Sequence, residues 1–172
     1  RNPEDQKLLR RLIAEADILV ENFRPGTMEK MGCGWDELHA LNPRLIMARI
    51  SGYGQSTSLA NEPCFDAIAQ AVSGLVDLTG QPDGPPSMAG TFMADYATAP
   101  YATIGILAAL ERRHTTGEGQ MVDTSIVNAF LMNDSFTYAF PDGTGPERQH
   151  LDAMLFGYAD AGPPRLRSMR DA

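Results

Sequence analysis

Two kinds of apolar pattern follow one another along the first fifty residues. In residues 3–15 the apolar positions recur at helical spacing behind an Asn-Pro start, which predicts an amphipathic helix. Short unbroken apolar runs follow in "DILV" and "RLIMARI", and a turn rich in glycine ends each of them. Between these two runs, "WDELHAL" predicts a short helix that Asn42-Pro43 ends. Helix, strand, helix and strand in this order predict an α/β fold with a parallel sheet. Because its strands are apolar throughout, we expect helices to cover both of its faces.

The next hundred residues continue this pattern. "FDAIAQAVSGLVDLTG" predicts one helix that glycine ends, and "MVDTS" predicts another strand with the helix "IVNAFLMNDSFTYAF" behind it. "PYATIGILAALERR" predicts a helix that begins at Pro100, since proline fits the first helical position. Apolar residues surround most of this helix, so we expect it deep in the core.

The character of the chain changes after Pro141, where glycine, proline and charged residues dominate. We therefore divide it into a domain over residues 1–140 and a remainder, 141–172. The remainder is predicted to be a loosely ordered tail or the start of a missing segment.

The composition argues against several classes of protein, including nucleic-acid-binding, membrane-bound and metal-binding proteins. Of 172 residues 14 are basic and 22 acidic, and the net charge of −8 argues against a nucleic-acid partner. No apolar run approaches the roughly 20 residues that span a bilayer, so no membrane partner is expected. Two cysteines without a CxxC pair predict a reducing, cytoplasmic setting and no metal site.

Polar and aromatic residues follow the first predicted strand in "ENFRPG". Open α/β sheets bind ligands at the ends of their parallel strands. Phe23 can stack on a base there, while Asn22 and Arg24 can hold polar or phosphate groups. A polar loop that merely caps the strand is the alternative, and the pattern slightly favours it.

Asp95 lies in "GTFMADYATAP" with no cation beside it in the sequence. With the helix beginning at Pro100, Asp95 falls about a turn upstream of the usual capping position. The pattern alone slightly favours a structural role for this carboxylate.

The chain resembles the family III CoA-transferases, the family of formyl-CoA transferase and carnitine CoA-transferase, over about residues 3–138. The blocks that carry the resemblance are "ADILVENFRPGTMEKMG", "LNPRLIMARISGYGQ", "FDAIAQAVSGLVDLTGQPDGPPSMAG", "MADY" and "GILAALERRHTTGEGQMVDTS". The resemblance implies an α/β fold, a Rossmann-like parallel sheet with flanking helices, as part of the family's large domain. It also implies a longer protein whose two copies interlock as a homodimer.

The resemblance implies that Asp95 is the catalytic nucleophile of a reaction between an acyl-CoA and a small carboxylic acid. The carboxylate attacks the thioester, and the returning CoA thiolate forms an aspartyl-CoA thioester. Free backbone N–H groups at the start of the following helix are expected to stabilise the oxyanion.

The same resemblance assigns contacts with coenzyme A to Asn22 and Phe23, and to Lys30 where an arginine is common in the family. It places Asp66 near the site, although a helix-capping role is an equal interpretation. Arg24 joins this set of CoA-binding candidates from the strand-end pattern, and no metal is expected.

Two other functions remain open. A 2-methylacyl-CoA racemase shares the fold, but it needs a histidine in a "GHD"-like motif to move a proton. Here "CFD" places Phe65 at that position, which disfavours a racemase. An inactive or truncated CoA-binding protein is the third possibility.

Overall fold

The computed structural model describes residues 2–79 and 84–131. The predictions for residues 141–172, and for the part of the last predicted helix beyond residue 131, concern residues outside these ranges and stay predictions. Helices and short strands follow one another along the described chain. They are α1 (Pro3–Glu15), β1 (Ile18–Glu21), α2 (Thr27–Lys30), α3 (Trp35–Leu41), β2 (Ile46–Ser51), α4 (Asp66–Val72), α5 (Leu75–Leu78), α6 (Met93–Thr116), β3 (Met121–Ser125) and α7 (Ile126–Leu131).

The three strands form one parallel sheet in the order β1-β2-β3. Glu21 pairs with Arg49 in the register of the first two strands, and Ser51 pairs with Ser125 in the second pair. All three strands therefore end at one edge of the sheet, where ligands of this architecture bind. The predicted α/β fold with a parallel sheet and flanking helices is confirmed.

The core is divided between the two faces of β2. Met47 belongs to one cluster and Ile50 packs against the other. These side chains point to opposite faces because strand residues alternate. The first cluster joins α1, α2 and α3, with Ile13, Met28, Cys33, Leu38 and Leu45. The second joins α4, α6 and α7, with Ala69, Ala94, Ile126, Val127 and Phe130.

Strand β1 departs from the expectation that both faces are covered. The residues Ile18 and Val20 are 37% and 56% exposed, whereas β2 is buried along almost its whole length. Among the described elements β1 lies at the edge of the sheet, and its burial alternates as in a strand covered on one face. An apolar run therefore did not distinguish a central strand from an edge strand.

The prediction that the longest helix begins at Pro100 is wrong. Helix α6 begins at Met93 and continues through Pro100 to Thr116. Proline has no N–H to donate inside a helix, which normally weakens the helix at that point. The helix nevertheless begins upstream of Pro100, because the carboxylate of Asp66 accepts the N–H groups of Ala94 and Asp95 and so caps its first turn. Asp95 therefore lies inside the first turn of α6, and not upstream of it.

The expectation that α6 lies deep in the core is also wrong. Ile104 and Leu107 are 60% and 59% exposed, while Ala94 and Ala109 are fully buried. The buried face carries small residues because the helix lies close to β3. A Cβ atom at Gly105 would come within 2.6 Å of the Val122 Cγ1 atom. The close packing of α6 against β3 requires small side chains on the buried face of the helix. The number of apolar residues in the helix did not show which face is buried.

One local expectation needs correction and another is confirmed. The helix predicted for "FDAIAQAVSGLVDLTG" is divided into α4 and α5 at Gly74, whose φ of +88° is a left-handed conformation that ends a helix. Asn2 caps α1 as its position suggests, and its Oδ1 atom accepts the N–H of Glu4 at 3.1 Å. None of the described helices is long and apolar enough to cross a membrane.

Candidate active site

A cleft of about 420 Å³ opens at the edge where the strands end. The loops after β1 and β2 form its walls, together with the first turns of α6. It brings together Asn22, Phe23, Arg24 and Asp95, four of the residues singled out in the sequence. Lys30 lies outside this cleft, in a second one beside α1, and Asp66 lies buried behind the cleft wall.

Asp95 stands in this cleft without a cation. No lysine, arginine or histidine of the described chain lies within salt-bridge distance of its carboxylate. Although its side chain is exposed, partial desolvation raises the pKa of Asp95, and the negative charge of Asp66 raises that pKa further. The protein thus makes the ionised carboxylate less stable than in water, which makes it a stronger base and nucleophile.

Asp66 caps the helix that carries Asp95. Its Oδ2 atom accepts the N–H of Ala94 at 3.0 Å and that of Asp95 at 3.4 Å. The residue is only 3% exposed, although it lies 28 or more positions earlier in the chain. Asp66 therefore acts as a helix cap, as one of the two interpretations expected. The helix that it caps is α6. It does not cap α4, the helix that it begins, and no side chain makes a capping hydrogen bond there. Contact of Asp66 with coenzyme A stays a prediction.

Gln70 completes this arrangement, and the sequence analysis missed it. Its Nε2 atom donates both to Asp66 Oδ1 and, at 3.1 Å, to the carbonyl of Thr91. Its Oε1 atom accepts the N–H of Ala89 at 3.0 Å. Gln70 is fully buried, and it fixes both Asp66 and the segment that enters α6. The signal in the sequence was a lone amide in an apolar stretch, one helical turn after an aspartate.

The backbone donors at the start of α6 are not free. Asp66 binds the N–H groups of Ala94 and Asp95, and the carbonyl of Phe92 binds that of Tyr96. The expectation that these groups stabilise an oxyanion is therefore wrong for this conformation. Within the described cleft, the side-chain amide of Asn22 has no hydrogen-bond partner and can act as a donor instead.

A buried ion pair fixes the loop after β1. The Nε atom of Arg49 lies 2.7 Å from Glu21 Oε1, and both side chains are almost completely buried. The other oxygen of Glu21 accepts the N–H of Phe23 at 2.7 Å. Arg49 also binds both oxygens of Glu29 on α2, at 2.7 and 3.2 Å, and this contact lowers the pKa of Glu29. The loop is thereby held while the ring of Phe23 remains 51% exposed.

Cys64 lies in the same cleft as Asp95. Burial raises the pKa of its thiol, a hydrogen bond with Tyr53 acts in the opposite direction, and the charges of Asp95 and Asp66 raise it again. The thiol is therefore held in its neutral form. A Cβ atom at Gly52 would come within 2.2 Å of Cys64 Cβ, so glycine allows this close approach.

Comparison with known proteins decides the family. The model of CoA-transferase family III matches residues 1–161. The chain belongs to CoA-transferase family III. A succinyl-CoA–D-citramalate CoA-transferase of Chloroflexus aurantiacus is 46% identical over 131 residues, which are 76% of this chain and 33% of that protein. A succinyl-CoA:mesaconate CoA-transferase of Haloarcula hispanica is 42% identical over 162 residues, which are 90% of this chain and 41% of the relative.

Solved structures agree with this assignment. A CAIB/BAIF family protein from Brucella suis superposes with a TM-score of 0.79 at 37% identity, and the match covers 86% of this chain and 40% of that one. The chain thus spans between a third and about two-fifths of the length of these family members. The suspected resemblance to family III CoA-transferases is confirmed.

Proposed function

We propose that the complete protein transfers CoA from an acyl-CoA donor to a small carboxylic acid, with Asp95 as the covalent nucleophile. The observation that carries this proposal is a carboxylate without a counter-cation, with a raised pKa, in a cleft at the ligand-binding edge of the sheet. The CoA-transferases among its relatives support the same reaction type.

In the first half of the reaction, the carboxylate of Asp95 attacks the thioester carbonyl of the acyl-CoA. The carbon–sulfur bond breaks, CoA leaves as a thiolate, and the acyl group is joined to Asp95 as a mixed anhydride. The thiolate then attacks the carbonyl of the aspartyl group. The donor acid leaves as its carboxylate, and CoA is bound to Asp95 as a thioester.

The second half reverses these steps with a new acid. The acceptor carboxylate attacks the aspartyl-CoA thioester and releases the CoA thiolate, leaving a mixed anhydride of acceptor and enzyme. The thiolate attacks the acceptor carbonyl, and the carboxylate of Asp95 is regenerated. Each attack places negative charge on a carbonyl oxygen, which the free amide of Asn22 can stabilise.

Coenzyme A fits the residues around this cleft. We assign stacking of its base to Phe23, whose backbone N–H donates to Glu21 and whose side chain remains open to solvent. Arg24 supplies a charge at the same wall of the cleft, and Lys30 lies one short helix further along. Asp66 acts by holding the N–H groups of the α6 start, which makes it a positioning residue for Asp95.

A racemase is not favoured by this cleft. Racemisation needs a proton-transfer group on each side of the substrate carbon. The ring of Phe65 is 74% exposed and lines the cleft where the histidine would be required. None of the described residues that line the cleft is a histidine.

The complete protein is further proposed to act in the cytoplasm as an interlocked homodimer. The edge strand β1 and the exposed side chains Ile104 and Leu107 support additional packing partners in the complete molecule. Sedimentation of the full-length protein at several concentrations measures the oligomeric state, and a monomer at all of them contradicts this assembly.

The test of the function uses the full-length enzyme and the variant Asp95→Asn, with Asp36→Asn on the exposed face of α3 as the matched control. The amide keeps the shape but removes the nucleophile, so transfer is expected to fall by more than about a thousandfold. Calorimetry is expected to show CoA binding retained. After incubation with succinyl-CoA, hydroxylamine converts an aspartyl anhydride or thioester to a hydroxamate, which mass spectrometry locates.

A hydroxamate on Asp95 supports the mechanism. Full activity of Asp95→Asn, or a hydroxamate only on Asp66, overturns it. If the wild-type protein binds CoA but transfers it to no carboxylic acid, the protein is a CoA-binding protein without transferase activity.

A further inference from the structure

Among the described residues that line the cleft, α6 contributes one hydroxyl group, that of Thr98. Asp95 and Thr98 are three positions apart on this helix, and both line the cleft. Residues at this spacing are neighbours on the helix surface, with their Cβ atoms about 5–6 Å apart. Thr98 is only 2% exposed, so water has little access to it. A polar group in such a place acts more strongly on a nearby charge than one in open solvent.

The Thr98 hydroxyl is held by a hydrogen bond that α6 does not need. Its Oγ1 atom donates to the carbonyl of Ala94 at 2.7 Å, which turns the hydroxyl back toward the first turn of α6. In an α-helix, the backbone N–H of residue 98 already donates to this same carbonyl. A hydroxyl rotates to suit its partner, and its bond to the carbonyl four residues earlier does not stabilise the helix. The hydroxyl can therefore turn to a ligand without leaving the Ala94 carbonyl unpaired.

The proposed reaction needs a hydrogen-bond donor at this place. Asp66 already binds the N–H groups of Ala94 and Asp95 in the first turn. Asn22 belongs to the loop after β1, which is a different wall of the cleft. Two of the four attacks put negative charge on the carbonyl oxygen of Asp95 itself, and this oxygen is carried by α6. A donor on the same helix stays close to that oxygen whichever ligand is bound, so Thr98 is suited to these two attacks.

We propose that the Thr98 hydroxyl stabilises the oxyanion that forms on the side chain of Asp95, as a further catalytic residue of the transfer. This inference rests on the proposed function, because it requires Asp95 to be the nucleophile. The helix then supplies both the nucleophile and the donor for its oxyanion, while Asn22 serves the carbonyl of the substrate.

In the first of these two attacks, the CoA thiolate forms a carbon–sulfur bond with the Cγ atom of Asp95 in the mixed anhydride. The carbonyl electron pair moves to the oxygen, which accepts the hydrogen bond from Thr98. The carbonyl then forms again, the bond from Cγ to the bridging oxygen breaks, and the donor acid leaves as its carboxylate. The acceptor carboxylate later follows the reverse route and releases the CoA thiolate. No proton is transferred, so Thr98 keeps its hydroxyl proton throughout.

Thr103 on the same helix provides a matched control. Its Oγ1 atom donates to the carbonyl of Ala99 at 2.8 Å, which is the same type of bond as that of Thr98. Thr103 is exposed, and it is not among the described residues that line the cleft. The variant Thr103→Val therefore removes an equivalent bond from α6 without changing the cleft. A change in rate that comes only from losing such a bond appears in both variants.

The experiment compares the full-length wild type with Thr98→Val, Thr98→Ser and Thr103→Val, and circular dichroism checks the fold. Each protein is mixed with succinyl-CoA without an acceptor acid. Mass spectrometry after rapid quenching follows the CoA adduct and maps it to a residue. The kcat and KM values come from the exchange of isotopically labelled succinate into succinyl-CoA, since the donor acid is then its own acceptor. If Thr98→Val does not fold, Thr98→Ala is compared with Thr98→Ser, because these two side chains differ only in the hydroxyl.

We expect the CoA adduct to form about ten- to a hundredfold more slowly in Thr98→Val, because one oxyanion donor is lost. The kcat of exchange is expected to fall by a similar factor, while KM for succinyl-CoA stays within about twofold, since the donor acts in the transition state. Thr98→Ser and Thr103→Val are expected to keep rates close to those of the wild type. An equal loss in Thr103→Val overturns the inference, and so do equal rates for Thr98→Ala and Thr98→Ser.

Failure of the proposed function gives a different result. If the wild type forms no CoA adduct on Asp95, the assignment of the nucleophile is wrong, and the role of Thr98 is rejected with it. If the adduct forms on Asp95 at the same rate in the wild type and in Thr98→Val, Asp95 remains the nucleophile and only the role of Thr98 is rejected.

Discussion

Replacing Asp66 by asparagine tests how the start of α6 is held. The carboxylate of Asp66 accepts three hydrogen bonds, two from the backbone of Ala94 and Asp95 and one from Gln70. If the asparagine oxygen faces α6, its NH₂ group meets the Nε2 atom of Gln70, and two donors oppose each other. Gln70 cannot rotate without losing its bonds to Thr91 and Ala89.

The magnitude follows from this conflict. A hydrogen bond to a charged group contributes about 1.5–3 kcal/mol, and a buried donor without a partner costs about 1–3 kcal/mol. Removal of a buried charge close to another carboxylate offsets part of this loss. We expect Asp66→Asn to lower the free energy of unfolding of the full-length enzyme by about 1–3 kcal/mol, measured by denaturant titration.

The same variant changes the pH dependence of the reaction. Because the charge of Asp66 contributes to the raised pKa of Asp95, its removal lowers that pKa. Transfer needs ionised Asp95 and is lost as the pH falls through this pKa. The acidic limb of the kcat/KM profile is therefore expected to move to lower pH. A limb that stays in place or moves upward, together with unchanged stability, would refute the positioning role. The variant Asp36→Asn is the control for both measurements.

Three further changes examine the cleft wall. Phe23→Ala is expected to weaken CoA binding by about 1–3 kcal/mol through lost stacking, and equal affinity by calorimetry would remove Phe23 from the site. Glu29→Gln breaks the paired contact with Arg49, so we expect a higher KM for acyl-CoA at unchanged kcat; a fall in kcat alone would contradict a role in loop placement. Because its pKa is raised, Cys64 is expected to react with iodoacetamide more slowly than a free thiol at pH 8, and CoA is expected to protect it; rapid labelling that CoA does not prevent would contradict its place in the cleft.

The sequence by itself determined what depends on neighbouring residues. The helical spacing of α1, the short apolar runs of β1 and β2 and the cap at Asn2 are local features, and the structure confirms each of them. The order of these elements also determined the parallel sheet, because a helix between two strands brings the second back in the same direction. The quoted blocks identified the family, and with it the candidate residue Asp95.

Only the tertiary structure decided what depends on distant partners. Helix α6 begins at Met93, upstream of Pro100, because a carboxylate from α4 supplies the cap that the local sequence lacks. The same contact with Asp66 occupies the backbone N–H groups of Ala94 and Asp95. From the sequence, N–H groups at the start of this helix were expected to be free to bind an oxyanion. Similarly, apolar runs could not show that β1 lies at an edge or that α6 is half exposed, since burial depends on which elements pack against each face. Hydrogen-bond partners and packing neighbours far apart in the chain follow no local period, so they appear only when the chain is folded.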